Sequence, residues 1–370
     1  MKYFIVAGER SGDLHGSNLI KAIKTADTEA NIEAWGGDYM QEAGANVRKH
    51  YSELAFMGFF EVAANLPKIL SFFGECQKQI QKFKPDAIIL IDYAGFNMRM
   101  AKWAKKHGYK VFYYISPKVW AWNQSRAWKL KKTIDRLFVI FPFEVEFFKK
   151  YDYEVEFVGN PLFDAIAAFT PNPDFLTFNH LRHSKFIALL PGSRKQEVEQ
   201  MLELMISTKK QFPNYQFVIA GVSNLSKEFY ERYLSDDIHV VFDQTYDLLA
   251  HSEAAMVTSG TATLETALFG IPQVVCYKTS WASYRIAKML IKVPYISLVN
   301  LVAQKEVVKE LIQDELTSDN LVYELKKILN NLEARKAQLA EYQLIKEALG
   351  EVGASTKTGK RIVEIVKNNK

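Results

Sequence analysis

The chain has 370 residues, 48% of them hydrophobic and 24% charged, with a formal net charge of +5 at pH 7. Those values exclude a disordered chain and leave enough length to bury the cores of two ordinary domains. The mild basicity fits an anionic partner and falls far short of a histone-like or arm-type nucleic-acid binder.

The opening run Tyr3–Ala7 is too short for a secretory signal and has the length of a first β-strand. A helical pattern follows over Leu14–Thr25, then a candidate second strand around Ile32–Trp35. Further on, the runs Ala87–Ile91, Lys110–Ile115, Leu137–Ile140 and Val155–Val158 predict strands. The helical periods Glu61–Phe83, Met98–His107 and Phe143–Tyr151 fall between them, which is the alternation of a parallel α/β sheet. "FTPNPDFLTFNHLRHSK" breaks the pattern with two prolines and reads as an inter-domain connection.

The alternation then restarts. Strands are predicted at Phe186–Leu190, Tyr215–Ala220, Ile238–Phe242, Ala254–Thr258 and Gln273–Tyr277. The intervening helices are Lys195–Lys210, Lys227–Leu234, Tyr246–Ala250 and Ala262–Phe269, and from about Ser318 the chain is helical and charged. The expected architecture is two Rossmann-like, doubly wound α/β domains with a facing cleft and a helical tail. Residues 1–170 are expected to form the first domain and 171–345 the second. The helix within 346–370 packs back on the first domain or is exchanged in a homodimer. "GASTKTGK" near the end has the wrong glycine spacing for a phosphate-binding P-loop and predicts a capped helix from about Ser355.

Cys76 and Cys276 stand in no metal-ligand spacing, which points to a reducing cytosol, and no H-E-x-x-H occurs. No stretch approaches the ~18 apolar residues of a spanning helix, so membrane contact is expected to be peripheral. Chemistry is expected beyond the carboxyl ends of the strands, where polar and glycine-rich sequence gathers. "GERSGDLHG" has glycines at every fourth position, which is not a dinucleotide fingerprint. It reads either as a loop admitting a substrate near Ser11 and Gly12 or as a tight strand-to-helix turn.

Asp92 follows the run "AIILI" and is either a general base or a helix cap. "LLPGSRKQE" puts Gly192, Ser193 and Arg194 at a helix start, where N–H groups and a guanidinium suit a diphosphate. The alternative is an N-cap with an ion pair from Arg194 to Glu197 or Glu199. "SGTATLE" repeats the form with Ser259, Gly260 and Thr261, and Glu265 one turn on could hold ribose hydroxyls. Simple capping by Ser259 or Thr261 is its alternative. "SPKVWAWNQSRAWKLKK" places Ser116, Trp120 and Trp122 at a strand exit. Arg126, Trp128, Lys129, Lys131 and Lys132 follow as an anion or membrane patch, or as a solvated helix with its Trp inward.

Taken together, "AGERSGDLHG", "MGFFEV", "IDYAGFNMRMAKWAKKHG", "YYISPKVWAWNQSRAWKLKK", "FPFEVEFFKK", "FVGNP", "LLPGSRKQEVE", "SGTATLETALFGIP" and "SLVNLVAQKEVVKELIQ" resemble one family. It is the lipid-A-disaccharide synthase family, inverting glycosyltransferases of GT-B architecture. The resemblance implies transfer of the sugar of UDP-2,3-diacylglucosamine to the 6-hydroxyl of 2,3-diacylglucosamine 1-phosphate, at the cytoplasmic surface of an inner membrane, with no cofactor or metal. It implies Asp92 as general base and Arg194 against the departing diphosphate, helped by the Ser259–Thr261 helix start. It makes residues 1–170 the acceptor domain and 171–345 the UDP-sugar donor domain, and places Glu265 on the ribose and Asn300 near the donor. With Asp92 in one domain and Arg194 in the other, domain closure is the natural assembly step.

The chain departs from the family pattern in several places. Gly95 stands where an acid is common, Asn160 replaces the His of "GHP", and "LVN" stands for "LPN". Ala303-Gln304-Lys305 stands for "AGR". Two other functions compete: a UDP-sugar epimerase of the same fold, and an RNA binder using the Trp/Lys segment. No RNA-binding aromatic pattern supports the latter, so no nucleic-acid partner is expected, and steep salt dependence would mark one.

Overall fold

A computed structural model of the chain describes residues 1–54, 66–182, 185–291 and 293–368. The "MGFFEV" stretch and the first residues of the helix read from Glu61 lie outside them, as do two residues of the proline-containing connection. The chain forms two compact units, one of Met1–Ala167 with Leu349–Lys370 and one of Ala168–Ala348.

The first unit is built on β1 (Lys2–Ala7), β2 (Asn31–Gly36), β3 (Asn46–His50), β4 (Ala87–Ile91), β5 (Lys110–Tyr114), β6 (Arg136–Val139) and β7 (Glu156–Phe157). They run parallel in the order β3-β2-β1-β4-β5-β6-β7. β1 and β4 read as unbroken apolar runs because both faces of the sheet are covered, and all five residues of β4 are fully buried. Tyr3 pairs with Ala87 and Ala7 with Ile91, so the two central strands end level. The strand order reverses between them, which opens a crevice at their carboxyl ends.

Helix Arg10–Ala26 lays Leu19, Ile20 and Ile23 on this sheet. Helix Ala354–Lys367 packs along it and adds Ile362, Val363 and Val366 to the same core. Gly359 permits the approach: a Cβ there would come within 2.7 Å of the Ala22 Cβ. The start of this last helix is capped from elsewhere in the unit, the Asp164 carboxylate accepting from the Gly353 N–H at 2.5 Å and the Ser355 N–H at 2.9 Å.

The second unit carries β8 (Lys185–Leu190), β9 (Tyr215–Gly221), β10 (Ile238–Phe242), β11 (Ser252–Thr258), β12 (Gln273–Tyr277) and β13 (Lys309–Ile312). These are also parallel, in the order β10-β9-β8-β11-β12-β13, with the reversal now between β8 and β11. The two-residue period of β8 divides its side chains between two cores. Ile187 and Leu189 meet Val198, Leu202, Leu321 and Leu325, while Phe186, Ala188 and Leu190 meet Phe175, Leu248 and Leu249. Each unit is therefore a doubly wound α/β fold, as the alternation of runs and periods predicts. Among the described residues, no helix is long and apolar enough to cross a membrane.

Candidate functional site

In the first unit, the crevice between β1 and β4 widens into a pocket of about 870 Å³. Its acid is Asp92, the first residue after β4, half-buried and held by the backbone. Asp92 and Tyr93 both take left-handed φ values, 43° and 48°, and Ile115 after β5 takes 63°. Such backbone costs of order 1–3 kcal/mol per residue and persists only where the surroundings impose it. Here the Asp92 carbonyl accepts from the Asn97 Nδ2 at 2.9 Å and the Tyr113 hydroxyl at 2.5 Å. The same Asn97 amide donates to Ile91 O at 3.1 Å. The Tyr93 ring lies against Gly8, where any side chain would collide with it. The glycine of the first loop thus makes room for the residue that follows the acid.

Burial raises the Asp92 carboxyl above its ordinary value, while Lys118 and the Tyr93 N–H pull it back down. A carboxyl poised this way can accept a proton from a substrate hydroxyl. Around it stand apolar side chains, Leu70, Phe73, Phe96, Trp103 and Trp122, and the cations Arg99, Lys102, Lys106, Lys118 and Arg126. Among the described residues Glu9 is the other acid on the wall. The pocket is shaped for an amphiphile that carries negative charge.

The structure gives the expected residues of this unit distinct positions. Ser11 is exposed on the first turn of helix Arg10–Ala26, and Gly12 is buried against Ala7. Asp13 of the same motif is structural, its carboxylate accepting from the N–H groups of Gly37, Tyr39 and Met40. Ser116 and Trp120 are buried behind the wall beside Glu144, and Trp122 lines the pocket. Glu144 accepts from the Ile140 and Phe141 N–H groups, both at 3.0 Å, and burial pushes its carboxyl up to about 7. Arg126 lies 4.5 Å above the Trp122 ring. Trp128 points outward, 46% exposed, with Lys131 over its ring and Lys129 and Lys132 exposed on the same short helix, Arg126–Thr133.

Sequence reasoning passed over Arg99, Lys102 and Lys106. Their signal was present: spacings of three and four place them on one face of helix Ala94–Lys106.

In the second unit, the reversal between β8 and β11 brings two loops into neighbouring positions. After β8, Gly192 turns with φ 103°, where a Cβ would also collide with the Glu197 carboxylate. Ser193 and Arg194 follow, exposed, at the start of helix Lys195–Ser207, which has no side-chain cap. Asn224 steadies the loop by donating to Ser193 O at 3.1 Å. After β11, the Ser259 hydroxyl donates to Ile296 O at 2.8 Å and does not cap helix Thr261–Leu268, whose start at Gly260 is likewise without a side-chain cap. Both helix starts therefore present backbone N–H groups and a positive dipole end.

Glu265 lies one turn on, half-buried, accepting from the Tyr246 hydroxyl at 2.9 Å, and burial raises its carboxyl. Asn300 behaves differently from a donor contact. It is fully buried, and its amide donates to Val308 O and the Glu310 carboxylate while accepting from the Val307 and Val308 N–H groups. Both ends of the amide are used inside the fold, so the side chain holds the loop after helix Leu298–Ala303 in place.

Comparison with known proteins adds a family to this geometry. The model of a family described as lipid-A-disaccharide synthetase matches residues 3–366. The chain is similar to the lipid-A-disaccharide synthase of Syntrophus aciditrophicus, 38% identical and covering 99% of this chain and 98% of that protein. That of Geobacter metallireducens is 36% identical over 99% and 97%. Among solved structures, the UDP-GlcNAc 2-epimerase of Methanocaldococcus jannaschii in complex with UDP-GlcNAc and UDP superimposes with a TM-score of 0.68 at 14% identity, over 100% of both chains. The epimerase from Neisseria meningitidis bound to UDP-GlcNAc gives 0.64 at 15%, again over 100% of both. At that identity the likeness is one of fold, the two-domain GT-B-like arrangement of parallel sheets.

Proposed function

The chain belongs to the lipid-A-disaccharide synthetase family of glycosyltransferases, and from that premise we propose its substrates and mechanism. It transfers the sugar of UDP-2,3-diacylglucosamine to the 6-hydroxyl of 2,3-diacylglucosamine 1-phosphate. The products are the β-1′,6-linked disaccharide 1-phosphate and UDP. The observation that carries this reading is the pocket of the first unit, where a strained-backbone carboxylate is ringed by aromatic side chains and cations. A neutral soluble sugar needs neither the apolar walls nor the excess of positive charge.

In this mechanism Asp92 accepts the proton of the 6-hydroxyl as that oxygen attacks the anomeric carbon. The bond to the diphosphate breaks on the opposite side, its electron pair leaving with UDP, and the configuration inverts. Arg194 and the open helix starts at Ser193 and at Ser259–Thr261 stabilise the charge gathering on the leaving group. Glu265 holds the ribose hydroxyls. Trp128, Lys129, Lys131 and Lys132 rest on an anionic phospholipid surface at the cytoplasmic side of the inner membrane, an exposed Trp among cations being suited to the interface, while Arg126 turns to the pocket over Trp122.

The test is to incubate the purified, detergent-supported protein with both acylated monosaccharides and to detect disaccharide and UDP. Consumption of UDP-GlcNAc with no disaccharide formed would replace this reading with an epimerase. Asp92→Asn is expected to keep UDP binding and lower turnover by roughly 10²-fold or more, the scale of an acid–base group. Near-normal turnover in that variant removes Asp92 from the role.

A further inference from the structure

Arg99, Lys102, Lys106 and Arg126 line one concave, largely apolar pocket, and among the described residues none of the four forms an ion pair. Lys105 on the same helix shows the contrast. It lies one residue around from this face and is paired with Asp135 at 2.5 Å. Among the described residues, the acids that reach the pocket are Glu9 and Asp92. Arg99, Lys102 and Lys106 keep their charged ends in solvent while sharing one wall with Phe73, Trp103 and Trp122, so like charges are crowded there and a bound anion relieves their repulsion. Guanidinium and ammonium groups together suit the fork and point-charge contacts that a phosphate dianion accepts.

We propose that Arg99, Lys102, Lys106 and Arg126 form a phosphomonoester subsite, separate from Asp92, which anchors a phosphorylated amphiphile whose apolar part lies on Phe73, Trp103 and Trp122. Lys118 is assigned to Asp92, with which it interacts, and not to this subsite. Identifying the phosphate as that of the sugar acceptor rests on the function proposed above; the subsite itself does not.

The experiment follows the fluorescence of the full chain, in which Trp103 and Trp122 line the pocket, during titration with decyl phosphate, decanol and inorganic phosphate. Decyl phosphate is expected to bind at least about 10-fold tighter than decanol, since a charge-assisted contact is typically worth a factor of ten or more. Inorganic phosphate should compete with it weakly. In a triple Arg99→Ala, Lys102→Ala, Lys106→Ala variant the preference for decyl phosphate over decanol should vanish while decanol binding persists, which also reports that the pocket is still folded. Lys105→Ala is the matched control and should leave the preference intact.

A triple variant that keeps the full preference overturns the proposal. Vesicles of neutral phosphatidylcholine with and without phosphatidic acid separate the two sources of phosphate. Loss of vesicle binding with decyl phosphate binding unchanged would assign these cations to a membrane surface and sink the subsite. If decyl phosphate binding depends on the cations but no disaccharide is ever formed, the subsite stands and the proposed reaction falls.

Discussion

Asp92 is a carboxylate under two opposed influences, burial raising its proton affinity and Lys118 lowering it. The balance has a testable sign. In the proposed role Asp92 accepts a proton only when deprotonated, so activity is expected to be lost as pH falls through its pKa. Lys118→Ala removes the pull downward and leaves burial less opposed, so the pKa rises. The acidic limb of the kcat/KM profile should then move to higher pH, while the unmodified protein keeps activity further into the acid range. A limb that stays in place means Lys118 does not act on the base. Gln304 poses a residue-scale question of another kind. It ends helix Leu298–Ala303 in the left-handed region, φ 55°, at the position where the related pattern has glycine. Gln304→Gly should raise stability by about 1 kcal/mol, the left-handed cost of a side chain less the extra entropy glycine loses on folding, read as an upward shift of the unfolding midpoint. Gly95, another of the departures, has open space around its Cβ position, so no contact among the described residues requires glycine there.

At the scale of elements, the fold was legible wherever a segment is buried on both faces. β1, β4, β8 and β11 are apolar runs because no side of them meets water, and the run lengths give them away. The two strands that no apolar run announces, β3 with the sequence NVRKH and β13 with KELI, are edge strands. An edge keeps charged side chains and a solvated border, and so loses the signal. The loops after β8 and β11 were legible as strand-to-helix turns, because glycine and hydroxyl residues gather at such strand exits. Asn300 was not, since whether an amide faces a ligand or a carbonyl is decided by loop closure around it. Caps supplied from far along the chain are equally hidden: Asp164, in the short helix Leu162–Ala167, closes the start of helix Ala354–Lys367. Asp164→Ala should destabilise the first unit by about 1–2 kcal/mol, the range of a lost N-cap, measured by denaturant titration. A change within error would mean that water replaces the carboxylate at no cost.

On the scale of the whole molecule, the two units share a strand order but differ in how the chain completes them. The second is continuous from Ala168 to Ala348, while the first takes its last helix from the far end of the sequence. That helix is fitted by a glycine, so Gly359→Val is a test of the join. Valine improves helix propensity by only a few tenths of a kcal/mol, whereas forcing a branched side chain against Ala22 costs typically 1–3 kcal/mol. Calorimetry should show the first unit's transition lowered and the second's unmoved; a single transition that does not shift would mean the two helices can part without penalty.

The join between helices Arg10–Ala26 and Ala354–Lys367 also has a consequence in time. A ribosome making roughly 5–20 residues per second needs on the order of 15–65 s to travel from one helix to the other. Throughout that interval the first helix has emerged without the partner that will cover it, and by its end the second unit has all of its strands. The half of the molecule begun first is finished last. A nascent chain stalled or cut before residue 354 therefore leaves the face of helix Arg10–Ala26 around Ala22 and Ile23 open to chaperones and proteases until helix Ala354–Lys367 arrives.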